Sequence, residues 1–141
     1  MNRDDFEDVR LIPNGTILEP GLPMIIAATA TGFYGQFGFQ PDFEVFDSDP
    51  FVPDLEDDKS WGDPAAILQL ANQGDEVIVR GPSGNIVEAI AYGSGWLPGN
   101  VSCTLNTLAN SVLERYPPWR DTDNCPADFR EWPFPNPGIV P

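Results

Sequence analysis

The sequence contains no histidine, and this absence excludes the commonest catalytic arrangements. General acid–base catalysis most often uses an imidazole, and nucleophilic Ser-His and Cys-His pairs both require one. A structural zinc site needs four nitrogen or sulfur ligands, whereas this chain has 2 cysteines. Paired carboxylates can act on a glycosidic bond, but acids in a proline-rich stretch are far more often a solvated surface. We therefore predict a protein that is not an enzyme.

Positive charge is also scarce. Lys59 is the single lysine, and 7 basic residues stand against 22 acidic ones, which gives a net charge of −15. A field of this sign disfavours nucleic acid and anionic membranes, because both need Lys and Arg to neutralise phosphate. The composition favours cations, basic partners or simple solubility, and it predicts no nucleic-acid ligand.

Long apolar runs are missing as well. No stretch of 18 apolar residues occurs, so we predict no membrane span. The first ten residues, MNRDDFEDVR, lack the apolar region of a signal peptide. If the protein is exported, we expect its export signal to lie outside this sequence.

Turn-forming residues, by contrast, are abundant. The 16 prolines and 13 glycines interrupt the chain every few residues, while a hydrophobic content of 41% indicates a folded core. This pattern is typical of short strands joined by turns, and 141 residues suit one domain. We predict an all-β fold.

The clearest local pattern is a hairpin within Leu68 to Gly93. Runs rich in β-branched residues, 76–80 and 86–92, flank the turn sequence Gly81-Pro82-Ser83-Gly84-Asn85. A three-residue loop places several valines on one buried apolar face, whereas a four-residue loop reverses the parity of the second strand. The valines predicted to be buried are Val77, Val79 and Val87.

Further elements are predicted on either side of the hairpin. The spacing of Phe33 and Phe37 favours a short helix over residues 31–37 that ends at Gly38, with Thr31 as its cap. The remaining predicted strands lie near residues 9–12, 15–19, 23–29 and 111–116. The tail over 117–134 is predicted to be extended.

Eight acidic residues fall within residues 42–58, and three prolines, at positions 41, 50 and 53, interrupt the backbone in and beside this range. Like charges repel, and prolines prevent a continuous ladder of hydrogen bonds. We predict that residues 47–60 form a mobile, solvated loop.

Two readings of Cys103 and Cys125 are open. They can be buried free thiols, or they can form a disulfide in an oxidising compartment. We favour the disulfide.

Two late segments carry a resemblance to a known family. LANQGDEVIVRGPSGNIVEAIAYG, followed by VLERYPPWRDTDNCPADFREWPFPNPG, resembles the lamin-tail domain of secreted prokaryotic proteins. The resemblance runs from about Gly15 to Gly138. The opening segments that the family normally carries have no counterpart in this sequence.

The resemblance implies both a fold and a role. The expected fold is an immunoglobulin-like β-sandwich with one short helix and long loops. Its expected bounds are residues 15–134, after an irregular segment at 1–14 and before a linker at 135–141. Such domains accompany secreted enzymes and surface proteins, so the expected role is an extracellular or cell-surface binding or attachment module. The alternatives are a spacer without ligand and a calcium-dependent carbohydrate-binding module.

Calcium is the one metal that the sequence suggests, and the pattern is weak. Asp121-Thr122-Asp123-Asn124 resembles the start of a hard-cation loop but lacks its glycine and closing glutamate. The alternative is that these aspartates cap turns. The acidic stretch is a second candidate by charge density alone. The candidate calcium ligands are Asp121, Asp123, Asp47 and Asp49.

Two surface features complete the predictions. The tryptophans can form an aromatic platform for a glycan, although indoles more often plug the ends of a sandwich. They are Trp61, Trp96, Trp119 and Trp132. A sandwich without its opening strands has an uncovered sheet edge, which predicts a homodimer through that edge.

Overall fold

Three stretches of the chain are described by a computed structural model: residues 8–58, 67–104 and 111–140. The chain forms two compact units, namely Met1–Leu68 with Pro137–Val140, and Gln69–Asn136 with Pro141. Within the described residues, the regular structure consists of four two-stranded sheets and two short helices, which is compatible with the predicted all-β class. None of the helices in these stretches is long and apolar enough to cross a membrane. The immunoglobulin-like sandwich and its bounds stay predictions.

The helix of the first unit, α1 (Ala30–Phe37), confirms the helix predicted there. It ends at Gly38, whose φ of 79° lies in the left-handed region and whose N–H donates to the Tyr34 carbonyl at 2.8 Å. Glycine suits this position because a Cβ is strained in that conformation. The cap differs from the prediction, since Thr29 takes the cap position and its side chain makes no capping hydrogen bond.

The strands of the first unit form two pairs, and the members of one pair precede and follow α1 in the chain. β2 (Ile26–Ala27) and β3 (Phe43–Glu44) are parallel, and α1 supplies the crossover that a parallel pair requires. β1 (Arg10–Leu11) pairs antiparallel with β4 (Glu56–Asp57) and confirms the strand predicted near residues 9–12.

Two of the strands predicted in the first unit are wrong: one does not occur, and the other is shorter than predicted. No strand occurs at residues 15–19, where Ile17 and Leu18 are exposed. Gly15 and Gly21 take left-handed φ values near the two ends of this segment, and the turns there keep it from pairing as a strand. In 23–29 the strand is restricted to the two residues of β2.

The prediction of a mobile, solvated loop over residues 47–60 is wrong in part, because this span contains strand β4 and its Val52 and Leu55 side chains are buried. Asp47, Asp54, Glu56 and Asp57 are exposed to solvent, and the mobility of the span stays a prediction. The acids alternate with apolar side chains, so the backbone turns the apolar ones inward. Residues 59 and 60 lie outside the described part of the chain.

The second unit contains the predicted hairpin. β5 (Gly74–Arg80) and β6 (Ile86–Gly93) are antiparallel, as predicted. The Gly81 N–H donates to the Asn85 carbonyl at 2.8 Å, and Gly84 takes a left-handed φ of 81°.

The predicted facing of the hairpin is wrong because β6 carries a bulge. Arg80 pairs with Ile86 and Val79 pairs with Glu88, so Val87 is the extra residue. The bulge reverses the parity of the second strand, and Val77 therefore lies opposite Ile90 instead of Ala89. The three valines that we predicted to be buried, at positions 77, 79 and 87, are 37%, 47% and 61% exposed.

The end of the second unit is more regular than the sequence suggested. β7 (Val112–Arg115) confirms the strand predicted over residues 111–116. The tail is not extended throughout: it forms α2 (Cys125–Asp128) and then β8 (Phe129–Trp132), which pairs antiparallel with β7.

Cys103 and Cys125 form a disulfide, which confirms the favoured reading. The Cys103 N–H donates to the Ala91 carbonyl at 3.0 Å, and the Cys125 N–H donates to the Val101 carbonyl at 3.0 Å. The disulfide therefore ties the outer edge of β6 to the start of α2.

Removing the disulfide is expected to destabilise the chain. The bond closes a loop with a sequence separation of 22, and loop-closure entropy for that length predicts a loss of about 3 kcal/mol for the Cys103→Ser/Cys125→Ser variant. Urea unfolding monitored by circular dichroism measures it. Dithiothreitol should shift the wild-type midpoint and leave that of the variant unchanged; an equal midpoint for the two proteins without dithiothreitol contradicts the prediction.

Candidate functional site

The first unit is built around the carboxylate of Glu44 on β3, which is fully buried. One oxygen, Oε2, accepts the Ala30 N–H at 2.7 Å and the Ser48 hydroxyl. The other, Oε1, accepts the N–H groups of Ser48 at 3.0 Å and Asp49 at 2.9 Å. A carboxylate offers about four acceptor positions, and the protein's own donors occupy all of them.

These contacts replace the missing side-chain cap of α1. The first N–H groups of a helix have no partner within it, and they carry partial positive charge. Glu44 accepts the first of them from Ala30, and the Ser48 hydroxyl accepts the next from Thr31 at 3.2 Å. Ser48 is in turn bound to Glu44, so one carboxylate joins β3, the helix start and the following turn.

The hydrogen bonds decide the charge of Glu44. Burial raises the pKa of its carboxyl, but the hydroxyl of Ser48 and the N–H groups of Ala30, Asp49 and Ser48 favour the ionised form. Together they lower the pKa from its ordinary value of 4.5 to about 2. Glu44 is therefore a buried anion at neutral pH.

Two exposed acids lie beside this anion. Ligand oxygens of Glu44, Asp47 and Asp54 lie within 4.8 Å of one another. Loss of hydration and the neighbouring charges of Asp47 and Glu44 raise the pKa of the Asp54 carboxyl. Because the oxygens of Glu44 are already saturated, a cation at this cluster would meet at most the two exposed aspartates.

The predicted calcium ligands of the acidic stretch are only partly together. Asp47 belongs to the Glu44 cluster, whereas Asp49 is committed to protein donors. Its Oδ2 accepts from the Gln40 side-chain amide at 2.9 Å, and its Oδ1 accepts from the Phe51 N–H at 3.0 Å. Asp49 therefore shapes the turn after β3.

The second predicted pair lies in the other unit, and one of its two aspartates faces a cation of the protein itself. Asp121 Oδ1 lies 3.5 Å from an Arg115 nitrogen, and Asp123 has a left-handed φ of 57°. Asn124 caps α2 by accepting the Ala127 N–H at 3.3 Å. Among the described residues, the Glu44 cluster is the one group of three acids close enough to share an ion.

Sequence reasoning missed Asp128, which holds the turn after Arg120 together. Its side chain is buried, Oδ2 accepts the Thr122 N–H at 2.7 Å, and Oδ1 accepts the Thr122 hydroxyl at 2.9 Å. Burial raises the pKa of this carboxyl, but the bonds from Thr122 outweigh it and lower the pKa overall. The sequence signal was Asn124 with Pro126 two residues later, a helix start that favours an acid in its first turn.

Sequence reasoning also missed Glu44. The pattern gave no signal for it, because the alternation Phe43-Glu44-Val45 on a strand points the acid away from the face that carries the two apolar side chains. An acid that is buried nevertheless needs donors to offset its loss of hydration. Which donors it finds depends on the crossover of α1, which the sequence pattern did not specify.

The surface of the second unit carries what we call the aromatic row: Tyr116, Arg130, Trp132 and Phe134. The Arg130 guanidinium carbon lies 3.7 Å from the centre of the Tyr116 ring and 4.5 Å from that of Trp132. The rings of Trp132 and Phe134 meet edge to face at 6.1 Å. The register of β7 and β8 creates this row, because Glu114 lies opposite Arg130 and holds its guanidinium at 2.6 and 2.7 Å.

The row is accessible to solvent. Phe134 is 70% exposed and Tyr116 is 49% exposed, while Trp132 is half-buried. Trp96 and Trp119 are also exposed, so neither plugs the end of a sheet. Trp61 lies outside the described residues.

Comparison with known proteins gives no match to a protein-family model, to a curated protein or to a solved structure. The lamin-tail resemblance therefore stays a prediction, and the function rests on the geometry of the two units.

Glu44→Gln is expected to destabilise the first unit by about 2–3 kcal/mol at neutral pH, because an amide nitrogen cannot accept the donors that now meet a carboxylate oxygen. Asp54→Asn is the matched control, since it removes one charge from the same cluster. Relief of repulsion should leave its stability unchanged or higher. Urea unfolding measures both, and equal losses would contradict the role assigned to Glu44.

The stability of the wild-type protein should fall as the pH drops from about 4.5 to about 2, the window between the ordinary and the folded pKa of Glu44. The folded state holds this carboxyl ionised while the unfolded state takes up a proton, so the stabilisation is complete above that window and is lost within it. Subtracting the profile of Glu44→Gln isolates this contribution from those of the other acids. Parallel profiles would contradict the depressed pKa.

Proposed function

We propose that this chain is a non-enzymatic extracellular module, similar to a lamin-tail domain, that binds or attaches a larger secreted or surface protein to a protein partner. The observation that carries the proposal is the aromatic row. It combines exposed rings with a fixed guanidinium on the β7–β8 pair.

The row is held in place before any partner binds. Arg130 is fixed by Glu114 from its own sheet and by two rings, so the side chains lose little freedom on contact. Aromatic and arginine side chains are also the residues that most often dominate binding energy. A spacer without a ligand has no need to fix exposed side chains in this way.

The charge and the disulfide indicate the kind of partner and the compartment. A net charge of −15 attracts a basic surface and repels an acidic one. The Cys103–Cys125 bond persists in oxidising environments such as the cell exterior. Both support a basic protein partner outside the cytoplasm.

A calcium-dependent carbohydrate-binding role has less support. The acids that approach one another include Glu44, whose oxygens the protein already satisfies. Asp121 pairs with Arg115. The aromatic row and the Glu44 cluster belong to different units.

Selection of peptides from a random display library on the immobilised chain tests the proposal. The wild-type protein should enrich peptides that are rich in Lys and Arg. Phe134→Ala removes an exposed ring of the row and should weaken the selected peptides at least about tenfold. Trp119→Ala is the matched control, since it removes an exposed ring outside the row, and its binding should equal that of the wild type.

Two results would overturn the proposal. One is no enrichment by the wild-type protein, which favours the spacer. The other is calcium-dependent binding on a glycan array, lost in Asp47→Asn, which favours the carbohydrate-binding alternative.

A further inference from the structure

The sequence contains the pattern Asn-X-Ser/Thr twice, at Asn14-Gly15-Thr16 and at Asn100-Val101-Ser102. In exported proteins this pattern is the acceptor for N-linked glycosylation, in which an oligosaccharide is joined to the asparagine side chain of a surface segment. Because the pattern is short, it also occurs by chance. The structure distinguishes the two copies by the contacts that each asparagine makes.

Asn14 lies in an exposed turn of the first unit. The Thr16 N–H donates to the Pro13 carbonyl at 3.2 Å, which closes a four-residue turn with Asn14 and Gly15 at its centre. Gly15 has a left-handed φ of 91°, which fits the third position of a type II turn. The three residues of the pattern are all exposed to solvent.

The Asn14 side chain is available to a modifying enzyme. In the described part of the chain, its carboxamide has no hydrogen-bond partner. The Thr16 hydroxyl donates to the Pro13 carbonyl at 2.7 Å, but this bond is exposed and water competes for it. An enzyme can therefore reach the Asn14 nitrogen without breaking a contact of that side chain.

The backbone around Asn14 is also held loosely. Among the described residues, the backbone hydrogen bonds of the segment 13–22 are confined to two turns, from Thr16 to Pro13 and from Leu22 to Glu19 at 3.1 Å. No strand or helix occurs in this segment. A segment without long-range hydrogen bonds opens at small cost, so it can adapt to the binding cleft of an enzyme.

The side chains of the second copy are engaged within the protein. Asn100 is half-buried, and its side-chain nitrogen donates to the Ala89 carbonyl of β6 at 2.9 Å. The Ser102 hydroxyl donates to the Gly95 carbonyl in a partly buried setting. The nitrogen that would receive the glycan is therefore already used to hold the hairpin.

The backbone of the second copy is fixed as well. The Val101 N–H donates to the Asp123 carbonyl at 3.0 Å, and the Val101 carbonyl accepts the Cys125 N–H at 3.0 Å. The disulfide between Cys103 and Cys125 closes the same region covalently. Access to Asn100 requires several hydrogen bonds to break beside a disulfide that stays closed.

We propose that Asn14 accepts an N-linked oligosaccharide and that Asn100, in the folded chain, does not. The inference rests on the extracellular location in the proposed function, and the aromatic row takes no part in it. The donor is an oligosaccharide carried on a polyisoprenyl diphosphate.

The transfer balances in one step. The Asn14 Nδ2 attacks the first carbon of the oligosaccharide and forms a C–N bond. The bond from that carbon to the diphosphate oxygen breaks, and the diphosphate leaves with the electron pair. The amide nitrogen gives one proton to a base of the transferring enzyme.

Transfer by a purified single-subunit oligosaccharyltransferase that accepts Asn-X-Ser/Thr tests the inference. The folded, disulfide-bonded chain is compared with synthetic peptides of residues 11–19 and 97–105, which carry the two acceptors without the fold. Asn14 should react within about tenfold of the rate of its peptide. Asn100 should react at least about a hundredfold more slowly than its peptide, because local opening must precede transfer. Mass spectrometry of proteolytic fragments assigns the modified residue.

Matched variants separate the acceptor from the fold. Thr16→Ala removes the hydroxyl of the pattern and should abolish the modification, whereas Thr16→Ser keeps a hydroxyl and should retain it. Because Thr16 is exposed, both variants should unfold in urea near the wild-type midpoint. Phe134→Ala should be modified like the wild type, so a failure of the proposed binding role is distinguishable from a failure of this inference.

Four results would overturn the inference. They are a folded chain that stays unmodified at Asn14 while its peptide reacts, a folded chain in which Asn100 reacts as fast as its peptide, modification of Asn14 that survives Thr16→Ala, and a chain that leaves a eukaryotic cell without a glycan when it is secreted behind a signal peptide. The secreted chain should instead carry a glycan at Asn14 alone, and an amidase that releases N-linked glycans should lower its mass.

Discussion

A buried carboxylate whose oxygens are saturated by N–H and O–H donors is the interaction on which the first unit depends. Glu44 joins strand β3, the start of α1 and the turn at Ser48 through one charge. Removing such a group leaves several donors without acceptors, and unmet donors in an interior are costly. The surrounding apolar cluster packs onto an arrangement that the carboxylate has already fixed.

The second unit also contains a buried carboxylate that accepts hydrogen bonds from nearby donors. Asp128 is the other buried charged residue among the described ones, and it accepts from the backbone and hydroxyl of Thr122. Both acids keep a depressed pKa chiefly through hydrogen bonds. A chain with 7 basic and 22 acidic residues has too few cations to neutralise its acids, so N–H and hydroxyl donors compensate Glu44, and they act on Asp128 together with Arg120, whose Nε lies 3.6 Å from an Asp128 oxygen.

Two of the arginines each contact several partners. Arg115 contacts Glu88 on β6 and Asp121 in the following turn, and its guanidinium carbon lies 4.7 Å from the Phe129 ring centre. Arg130 similarly contacts Glu114 and two rings. These arginines join strands, so the loss of either affects packing as well as charge.

Local signals predicted the elements that depend on local chemistry. The hairpin turn, the helix that ends at Gly38 and the strand of Val112 were readable because proline, left-handed glycine and β-branched residues act within a few positions. The sequence determined only the pairing of Cys103 with Cys125, since 2 cysteines allow one pairing, and the disulfide was the favoured of two readings.

What the sequence did not show depends on distant contacts. A single bulged residue, Val87, changes which residues of β6 share a face with Val77 and Val79, and no pattern of alternation shows a bulge in advance. The acidic stretch was predicted to be solvated because its charges repel. Its packing depends on Glu44 meeting the helix start, which lies 14 residues earlier. Of the candidate site residues, Asp47 was predicted from charge density and does lie in a cluster of acids. Nothing in the sequence indicated that the oxygens of Glu44, in the same cluster, already accept hydrogen bonds from the protein.

Two-stranded sheets are marginal by themselves, and this explains how the second unit is organised. The disulfide anchors the outer edge of β6 to α2, and Cys103 adds backbone hydrogen bonds along that edge. Arg115 then joins β7 to β6 through Glu88. These supports all act on the side of the hairpin that carries β6. Strand β5 is held instead by neighbouring segments of the chain, since its Glu76 carboxylate accepts the Trp96 N–H and its Asp75 carboxylate accepts the Ala71 N–H at 2.9 Å.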